Sequence, residues 1–238
     1  EPVVDVVSTP AVAPPFELRR PDLSAQLPNL LDHAAVSLRH PARRAVAAIG
    51  AASVRGFRTT LDSLGFTEVF TPKVVAAATE SGANVFPIDW FGRLAYLAQS
   101  PQFYKQTMVG VFERVYEVGP VFRAEPHATA RHLAEYVSLD AELGFIDDHR
   151  DVMALLGRVI TGMVGAVAER AEHAVGLLDL TLPVVPVDIP EIAFDEAQRV
   201  IEADTSRPTV GEPDLSPADE RWLGEWAARE HGSDLVFV

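Results

Sequence analysis

Two strand-like runs joined by a charged loop constrain the fold more than any other feature of this chain. From Tyr136 to Phe145 polar and apolar residues alternate, as in a strand with one face on the core and one face open. The preceding run, from Arg114 to Arg123, is rich in Val, Tyr and Phe, so the pair predicts an antiparallel hairpin. Its polar side chains would then lie on one surface, beside a loop of about residues 124–134.

Ionisable groups are concentrated in this loop and on this face. The loop carries Glu125, His127, Arg131 and His132. The open face of the second strand carries Tyr136, Ser138, Asp140 and Glu142. Because the loop and the face converge, the hairpin predicts one chemically equipped pocket.

Helix signals surround the hairpin. Pro41 is expected to begin a helix that runs to about Leu64 and is ended by Gly65. Ser100 before Pro101 predicts an N-cap and a helix to about residue 112. The first turns of that helix would carry Gln102, Lys105 and Gln106 on one face. Further helices are expected after residue 148, over about 194–201 and over 217–229, with a short strand over 234–238. Mixed helices and strands with a local antiparallel hairpin give an α+β fold class.

Composition limits the function classes. The 238 residues are 48% hydrophobic, enough for one large domain, and we find no apolar run long enough to cross a bilayer. The formal charge of −14 argues against non-specific coating of nucleic acid. Cysteine is absent, which excludes disulfides and thiolate metal sites, and no signal peptide is recognised, so the cytoplasm is the expected location.

Nucleotide binding, if present, would depend on arginine. The sequence has no glycine-rich phosphate loop of the P-loop or dinucleotide type. Only two of the 20 basic residues are lysines, Lys73 and Lys105. Lys105, in a chain that otherwise uses arginine, indicates a position that favours an ammonium, because the two cations differ in shape and hydration.

Three segments resemble motifs of the class II aminoacyl-tRNA synthetases. Phe122-Arg123-Ala124-Glu125 and Arg131-His132-Leu133 resemble the two halves of motif 2. Gly65 to Pro72 resembles motif 1, and Gln99 to Gln106 resembles the substrate-recognition segment of aspartyl-tRNA synthetases. Order and spacing are similar to the archaeal and eukaryotic type of aspartyl enzyme over about residues 18–238.

The resemblance implies a domain organisation. Residues 1–40 would form a linker or hinge that follows an anticodon-binding OB domain, and residues 41–238 would form the class II catalytic domain. That fold is an antiparallel sheet flanked by helices. Motif 3, with its ATP-binding arginine and magnesium-binding acid, would follow Val238. We therefore expect a fold that is incomplete at its C-terminus, in either a fragment or a truncated paralogue.

The resemblance also implies ATP-binding roles. Arg123 would contact the α-phosphate and act as the catalytic residue, since a guanidinium can stabilise charge that develops on phosphate oxygens. Glu125 would accept from the adenine amino group, and Tyr136 would face adenine. Arg131 and His127 would hold the terminal phosphate, and His132 would be a residue of the substrate loop. Magnesium ligands are unknown, although Glu142 is one candidate.

For the amino acid, Lys105 would bind a side-chain carboxylate. Gln102 and Ser100 would contact the substrate, Asp140 would take its α-ammonium group, and Glu80 would be the acid of a mobile loop. Simpler roles stay open for several of these residues. They are a surface ion pair of Arg123 with Glu125 or Glu117, a structural His132, a solvated Glu142 or Lys105, and an ordinary loop acid at Glu80.

The activity implied is ATP- and Mg²⁺-dependent activation of aspartate and transfer to tRNA(Asp), with tRNA(Asn) as an open second acceptor. The alternatives are an inactive synthetase-like regulatory paralogue, an asparaginyl-tRNA synthetase and an asparagine-forming ligase. We also expect no membrane association and a homodimer through motif 1. The dimer expectation depends on apolar residues that a lone helix and strand should not leave in water, namely Phe57, Leu61, Phe66, Val69 and Phe70.

Overall fold

The structure is a computed structural model that describes residues 5, 7–8, 12–13, 15–21, 23–79, 84–125 and 133–238. Among these residues, the hairpin expected from the alternation is the longest strand pairing. The elements are α1 (Leu27–Asp32), α2 (Ala34–Ser37), α3 (Pro41–Ser63), β1 (Thr67–Glu68), β2 (Val74–Val75), β3 (Pro87–Trp90), β4 (Arg93–Leu97), α4 (Gln102–Phe112), β5 (Arg114–Phe122), β6 (Glu135–Leu143), α5 (His149–Arg170), α6 (Glu172–Leu177), α7 (Phe194–Thr205) and α8 (Pro217–His231). The α+β fold class is confirmed.

Strands β5 and β6 pair antiparallel from Arg114 opposite Leu143 to Phe122 opposite Glu135. The short β1 adds to β5 in parallel, and a separate antiparallel sheet has the order β2-β4-β3. The alternation in the sequence continues beyond the strand, but Phe145 has a φ of 59° and is 85% exposed. Its expected place on the core face is therefore wrong, because the backbone turns after Leu143.

One face of the hairpin is covered by two helices. Tyr116 lies in a buried cluster with Phe57 and Leu61 of α3 and Val159 of α5, and its ring meets Phe57 edge to face at 5.7 Å. Each fully buried apolar side chain of this size contributes about 1.5–3 kcal/mol of transfer free energy. The core side of the sheet is thus fixed by α3 and α5, which leaves the other side for polar groups.

The helix boundaries follow the expected signals with one correction. Helix α3 begins at Pro41, and Gly65 after it has a φ of +78°, a conformation that glycine adopts without strain. Helix α4 has Pro101, not Ser100, at its N-cap position. The Ser100 hydroxyl still accepts a hydrogen bond from the Gln102 N–H at 3.2 Å, so it serves the first turn from one residue further out.

The C-terminal part has its own small core. Helices α7 and α8 bury Ala197, Ile201 and Leu223. Helix α8 begins with the expected cap, in which Ser216 and Asp219 bond each other's backbone N–H. The strand expected over 234–238 is reduced to a single parallel bridge between Glu191 and Phe237.

The described chain divides into two compact units, residues 1–53 with 166–182 and residues 54–165 with 183–238. In the first unit, the region expected to be linker contains α1 and α2, where the Ser37 hydroxyl donates to the Leu30 carbonyl at 2.8 Å. A second cluster in this unit buries Ala45, Ala52 and Val167. The boundary at residue 40 stays a prediction.

Most of the apolar residues cited for a homodimer fill the core. Phe57, Leu61, Phe66 and Val69 are all buried, whereas Phe70 is 77% exposed. The premise that these side chains would be left in water is therefore wrong for four of the five. The homodimer stays a prediction that now depends on Phe70 and its surroundings.

Helix α5 is long enough and apolar enough, by length and composition alone, to cross a membrane. By that measure, the expectation that the sequence has no apolar segment of membrane-spanning length is wrong. In the structure Leu155, Val159 and Met163 of this helix pack against the hairpin core.

Candidate functional site

The open face of the hairpin holds the polar residues that the alternation predicted. The register places Glu117 opposite Asp140, Gly119 opposite Ser138 and Val121 opposite Tyr136. Because side chains alternate between faces, these residues share the side opposite Tyr116 and the core. Glu142, opposite Val115, lies in the same row.

Lys105 joins this face from the first turns of α4. Its side chain is only 4% exposed, and Nζ lies 3.1 Å from Asp140 Oδ1 and 3.3 Å from Glu142 Oε2. Nζ also donates to the carbonyl of Ala141 at 3.4 Å. The Ser138 hydroxyl donates to the other oxygen of Asp140. A buried ammonium is thus balanced by two carboxylates, and the simpler role of Lys105 as a solvated helix residue is wrong.

The recognition segment that precedes α4 is held by one threonine. The Thr79 hydroxyl oxygen accepts from the backbone N–H groups of Gln99 at 3.2 Å and Ser100 at 3.4 Å. Ser100 is buried, whereas Gln102 is exposed. Glu80 lies outside the described residues.

Arg123 and Tyr136 meet at the loop end of the hairpin. The Arg123 N–H donates to the Ala134 carbonyl at 3.0 Å, which extends the strand ladder by one step. The guanidinium carbon of Arg123 lies 5.9 Å from the centre of the Tyr136 ring, within cation–π range. Glu125 is half-buried just beyond this pair. His127, Arg131 and His132 lie outside the described residues.

Glu117 of this face, and Thr71 and Lys73 that contact it, were not assigned a role in the site from the sequence. Glu117 is 3% exposed, accepts from the Thr71 N–H at 2.9 Å and from the Thr71 hydroxyl at 2.7 Å, and lies 3.0 Å from Lys73 Nζ. The sequence identified Lys73 only as one of two lysines, and no local pattern connects it with Glu117. Sequence alone had offered Glu117 only as a partner for Arg123.

A metal site is not formed by the described residues alone. No group of three His, Cys, Asp or Glu side chains among them could hold an ion. Glu142, the one acid suggested for magnesium, contacts Lys105. The magnesium ligands therefore stay unassigned.

A surface cavity of about 650 Å³ lies elsewhere, beside α5. Its lining includes Met153, Gly157, Val187, Ile189 and Phe237. It contains none of the polar residues of the hairpin face, so cavity size alone does not locate the chemistry.

Comparison with known families identifies the family of this chain. A family model described as tRNA synthetases class II (D, K and N) matches residues 28–238. The chain belongs to this family. The resemblance to class II aminoacyl-tRNA synthetases seen in the sequence is confirmed.

Individual relatives agree with the family. The chain is 46% identical to the aspartate–tRNA(Asp/Asn) ligase of Deinococcus radiodurans over 98% of its length and 53% of that protein. It is 48% identical to the ligase of the same name from Thermus thermophilus, over 99% of the chain and 55% of that protein. The chain thus spans about half the length of the curated relatives it matches.

Solved structures of class II synthetases have the same fold. An aspartyl-tRNA synthetase from Entamoeba histolytica matches with a TM-score of 0.75 and 26% identity, covering 90% of this chain and 41% of that one. An asparaginyl-tRNA synthetase from Pyrococcus horikoshii complexed with asparaginyl-adenylate matches with a TM-score of 0.73 and 29% identity, covering 85% and 47%.

Proposed function

We propose that the protein containing this chain activates aspartate with ATP and Mg²⁺ and transfers the aspartyl group to tRNA. The observation that carries this proposal is the buried Lys105 ammonium between Asp140 and Glu142. Support also comes from relatives whose names identify them as aspartate–tRNA ligases.

Aspartate is a good match for this charge pattern. Its side-chain carboxylate would replace one acid as a partner of Lys105, and its α-ammonium group would pair with Asp140. The Lys105 ammonium can donate hydrogen bonds but has no lone pair with which to accept one. It therefore complements a carboxylate better than the amide of asparagine. Leaving a buried ammonium poorly paired is expensive, and this cost would provide the discrimination.

Activation requires the α-carboxylate oxygen of aspartate to attack the α-phosphorus of ATP while the bond to pyrophosphate breaks. Arg123 would stabilise the negative charge on the phosphoryl oxygens, because its guanidinium is permanently charged and can form two parallel hydrogen bonds. Tyr136, beside Arg123, would face adenine. Part of the phosphate charge would be neutralised by Mg²⁺ when it is bound.

The remaining assignments come from the family resemblance. Glu125 would accept from adenine, Arg131 and His132 would contact the phosphates and substrate, and Glu80 would close over the amino acid. Ser100 and Gln102 would line the amino acid site. The expected setting is the cytoplasm, and the expected assembly is a homodimer.

Asparagine is the second candidate substrate, because one matching fold is an asparaginyl enzyme. Amino-acid-dependent exchange of pyrophosphate into ATP, measured on the full gene product with aspartate, asparagine and lysine, separates the candidates. We expect exchange with aspartate alone. Exchange with asparagine but not aspartate would refute the substrate, and no exchange with any of the three would favour an inactive regulatory protein.

Two variants assign the roles. Lys105→Met should abolish aspartate-dependent exchange while ATP binding persists. Arg123→Ala should lower the exchange rate by about 10²–10³-fold without unfolding the protein. Equal loss of aspartate and ATP binding in Lys105→Met would indicate a structural lysine. The acceptor range follows from charging of tRNA(Asp) and tRNA(Asn) transcripts by the unmodified protein.

A further inference from the structure

Two acids face each other across the hairpin. Glu117 on β5 is directly opposite Asp140 on β6, and both lie on the polar face. Like charges in directly opposed positions destabilise a sheet. Here each acid has its own lysine, at 3.0 Å for Lys73 and Glu117 and at 3.1 Å for Lys105 and Asp140.

The Glu117 carboxylate is bound by Thr71 and Lys73. Both of its oxygens accept hydrogen bonds from Thr71, one from the backbone N–H and one from the hydroxyl. The ammonium of Lys73 in turn donates to the Thr71 hydroxyl oxygen at 3.1 Å. Since Glu117 is 3% exposed, removing its cation would leave a buried charge without compensation.

The Lys73 side chain crosses Gly119 of β5. A Cβ at Gly119 would lie 3.4 Å from Cε and Nζ of Lys73, so the lysine side chain passes directly over this residue of β5. Gly119 is opposite Ser138, whose hydroxyl donates to Asp140. Lys73 therefore lies in the row next to the Asp140 carboxylate, on the side toward Tyr136.

We propose that Lys73 is a positioning residue for aspartate, which acts by neutralising Glu117 and thereby leaving Lys105 and Asp140 paired with each other. This inference rests on the proposed function. Without Lys73, the charge of Glu117 repels Asp140 and attracts Lys105, which displaces the two groups assigned to the substrate. Arg123 is six residues from Glu117 along the strand direction, or roughly 20 Å, so its contact with ATP is affected less.

The test is steady-state pyrophosphate exchange with the full gene product, with KM measured separately for aspartate and ATP. Lys73→Met should raise the aspartate KM about tenfold, equivalent to about 1.4 kcal/mol, and change the ATP KM by less than about threefold. Removing the acid as well, in Lys73→Met with Glu117→Gln, should return the aspartate KM to within about threefold of wild type, because the unbalanced charge is gone.

Two further proteins keep the result interpretable. Lys73→Arg preserves the charge and should keep the low aspartate KM even if Lys73→Met does not fold. Arg207→Met breaks a comparable pair outside the site, since Arg207 Nη2 lies 2.7 Å from Asp219, whose side chain is 8% exposed. This control should lose thermal stability without a change in either KM.

The proposal is overturned if Lys73→Met leaves the aspartate KM unchanged, if both KM values rise equally, or if the double variant is no better than the single one. If Lys73→Met does not fold, the proposal is overturned when Lys73→Arg raises the aspartate KM and the ATP KM by the same factor. A wild-type protein that shows no aspartate-dependent exchange would instead refute the proposed function.

Discussion

Replacing Tyr116 with Phe tests how the segment after α3 is joined to the hairpin. The Tyr116 ring is 1% exposed, and its hydroxyl donates to Asp62 Oδ1 at 2.8 Å, with Glu68 Oε2 at 3.4 Å. Burial, together with the Asp62 hydrogen bond and the Glu68 charge, raises the pKa of Tyr116 above its ordinary value of 10.0. Glu68 is also bonded by Arg58 Nε at 2.9 Å.

Near neutral pH the variant should be less stable. A hydrogen bond to a charged group contributes about 1.5–3 kcal/mol, but Asp62 is exposed and water can replace the lost donor. We therefore expect Tyr116→Phe to lower the free energy of unfolding by about 1 kcal/mol at pH 8.

At alkaline pH the order should reverse. A raised pKa means that the stabilisation is complete below the unfolded-state pKa and is lost as pH rises, since the unfolded chain releases a proton that the folded chain keeps. For one proton, the wild-type unfolding free energy should fall by an extra 1.4 kcal/mol or so per pH unit above about pH 10. The curves of the two proteins should then cross at about pH 11.

Urea unfolding followed by circular dichroism between pH 8 and 11 gives both curves. Tyrosinate absorbance independently counts the ionised tyrosines of this chain, which has four. Tyr116 should ionise in this pH range only when the wild-type protein unfolds. Parallel curves for the two proteins up to pH 11 would refute the assignment of a raised pKa to Tyr116.

Three further outcomes are expected from the packing, the C-terminal cap and the exposed apolar surface. Gly162→Ala should destabilise the fold by about 1 kcal/mol or more, because the added Cβ would lie 3.1 Å from Thr60 Cβ. Gly165→Ala should stabilise the fold by roughly 0.5 kcal/mol, because a Cβ there would have nothing within 4 Å. Calorimetric melting of wild type and the two variants ranks their stabilities. The Ser216 hydrogen bond holds the pKa of Asp219 below its ordinary value of 3.8, so this stabilisation is present above that pH and lost as pH falls through the lowered pKa. The difference between the urea midpoints of wild type and Asp219→Asn should therefore stay constant from pH 7 to about pH 4 and shrink as the pH falls further. In sedimentation, the full gene product should be a dimer, and Phe70→Asp should make it a monomer.

Local periodicity was sufficient to predict the hairpin and most helix boundaries. Alternation from Tyr136 onward defines which side chains share a face, and Pro41 and Gly65 define the ends of α3 by backbone geometry alone. The position of Lys105 on the pocket side of α4 follows partly from the same kind of pattern. Its burial does not, because this depends on carboxylates 35 and more residues away in the sequence.

The pairing of Lys73 with Glu117 shows where local patterns end. The hydrogen-bonded residues Thr71 and Glu117 are 46 positions apart, and an acid inside an apolar strand is expected to be exposed or paired without any indication of its partner. Phe66 and Val69 illustrate the same limit for the core, since an apolar pattern identifies a buried residue but not the surface that covers it. The cited contacts between β1, β5 and α3 exist only once the sheet is assembled.

Both lysines of the chain lie on the polar face of the hairpin, with side chains 21% and 4% exposed. Within this chain, reagents that modify primary amines therefore have only these two side chains to attack, and each contacts a carboxylate. Acylation followed by peptide mass mapping becomes a footprint of this one surface. A bound ligand that covers the face should slow the labelling of Lys73, with the rate in urea as the reference for an uncovered lysine. This measurement needs no probe introduced by mutation.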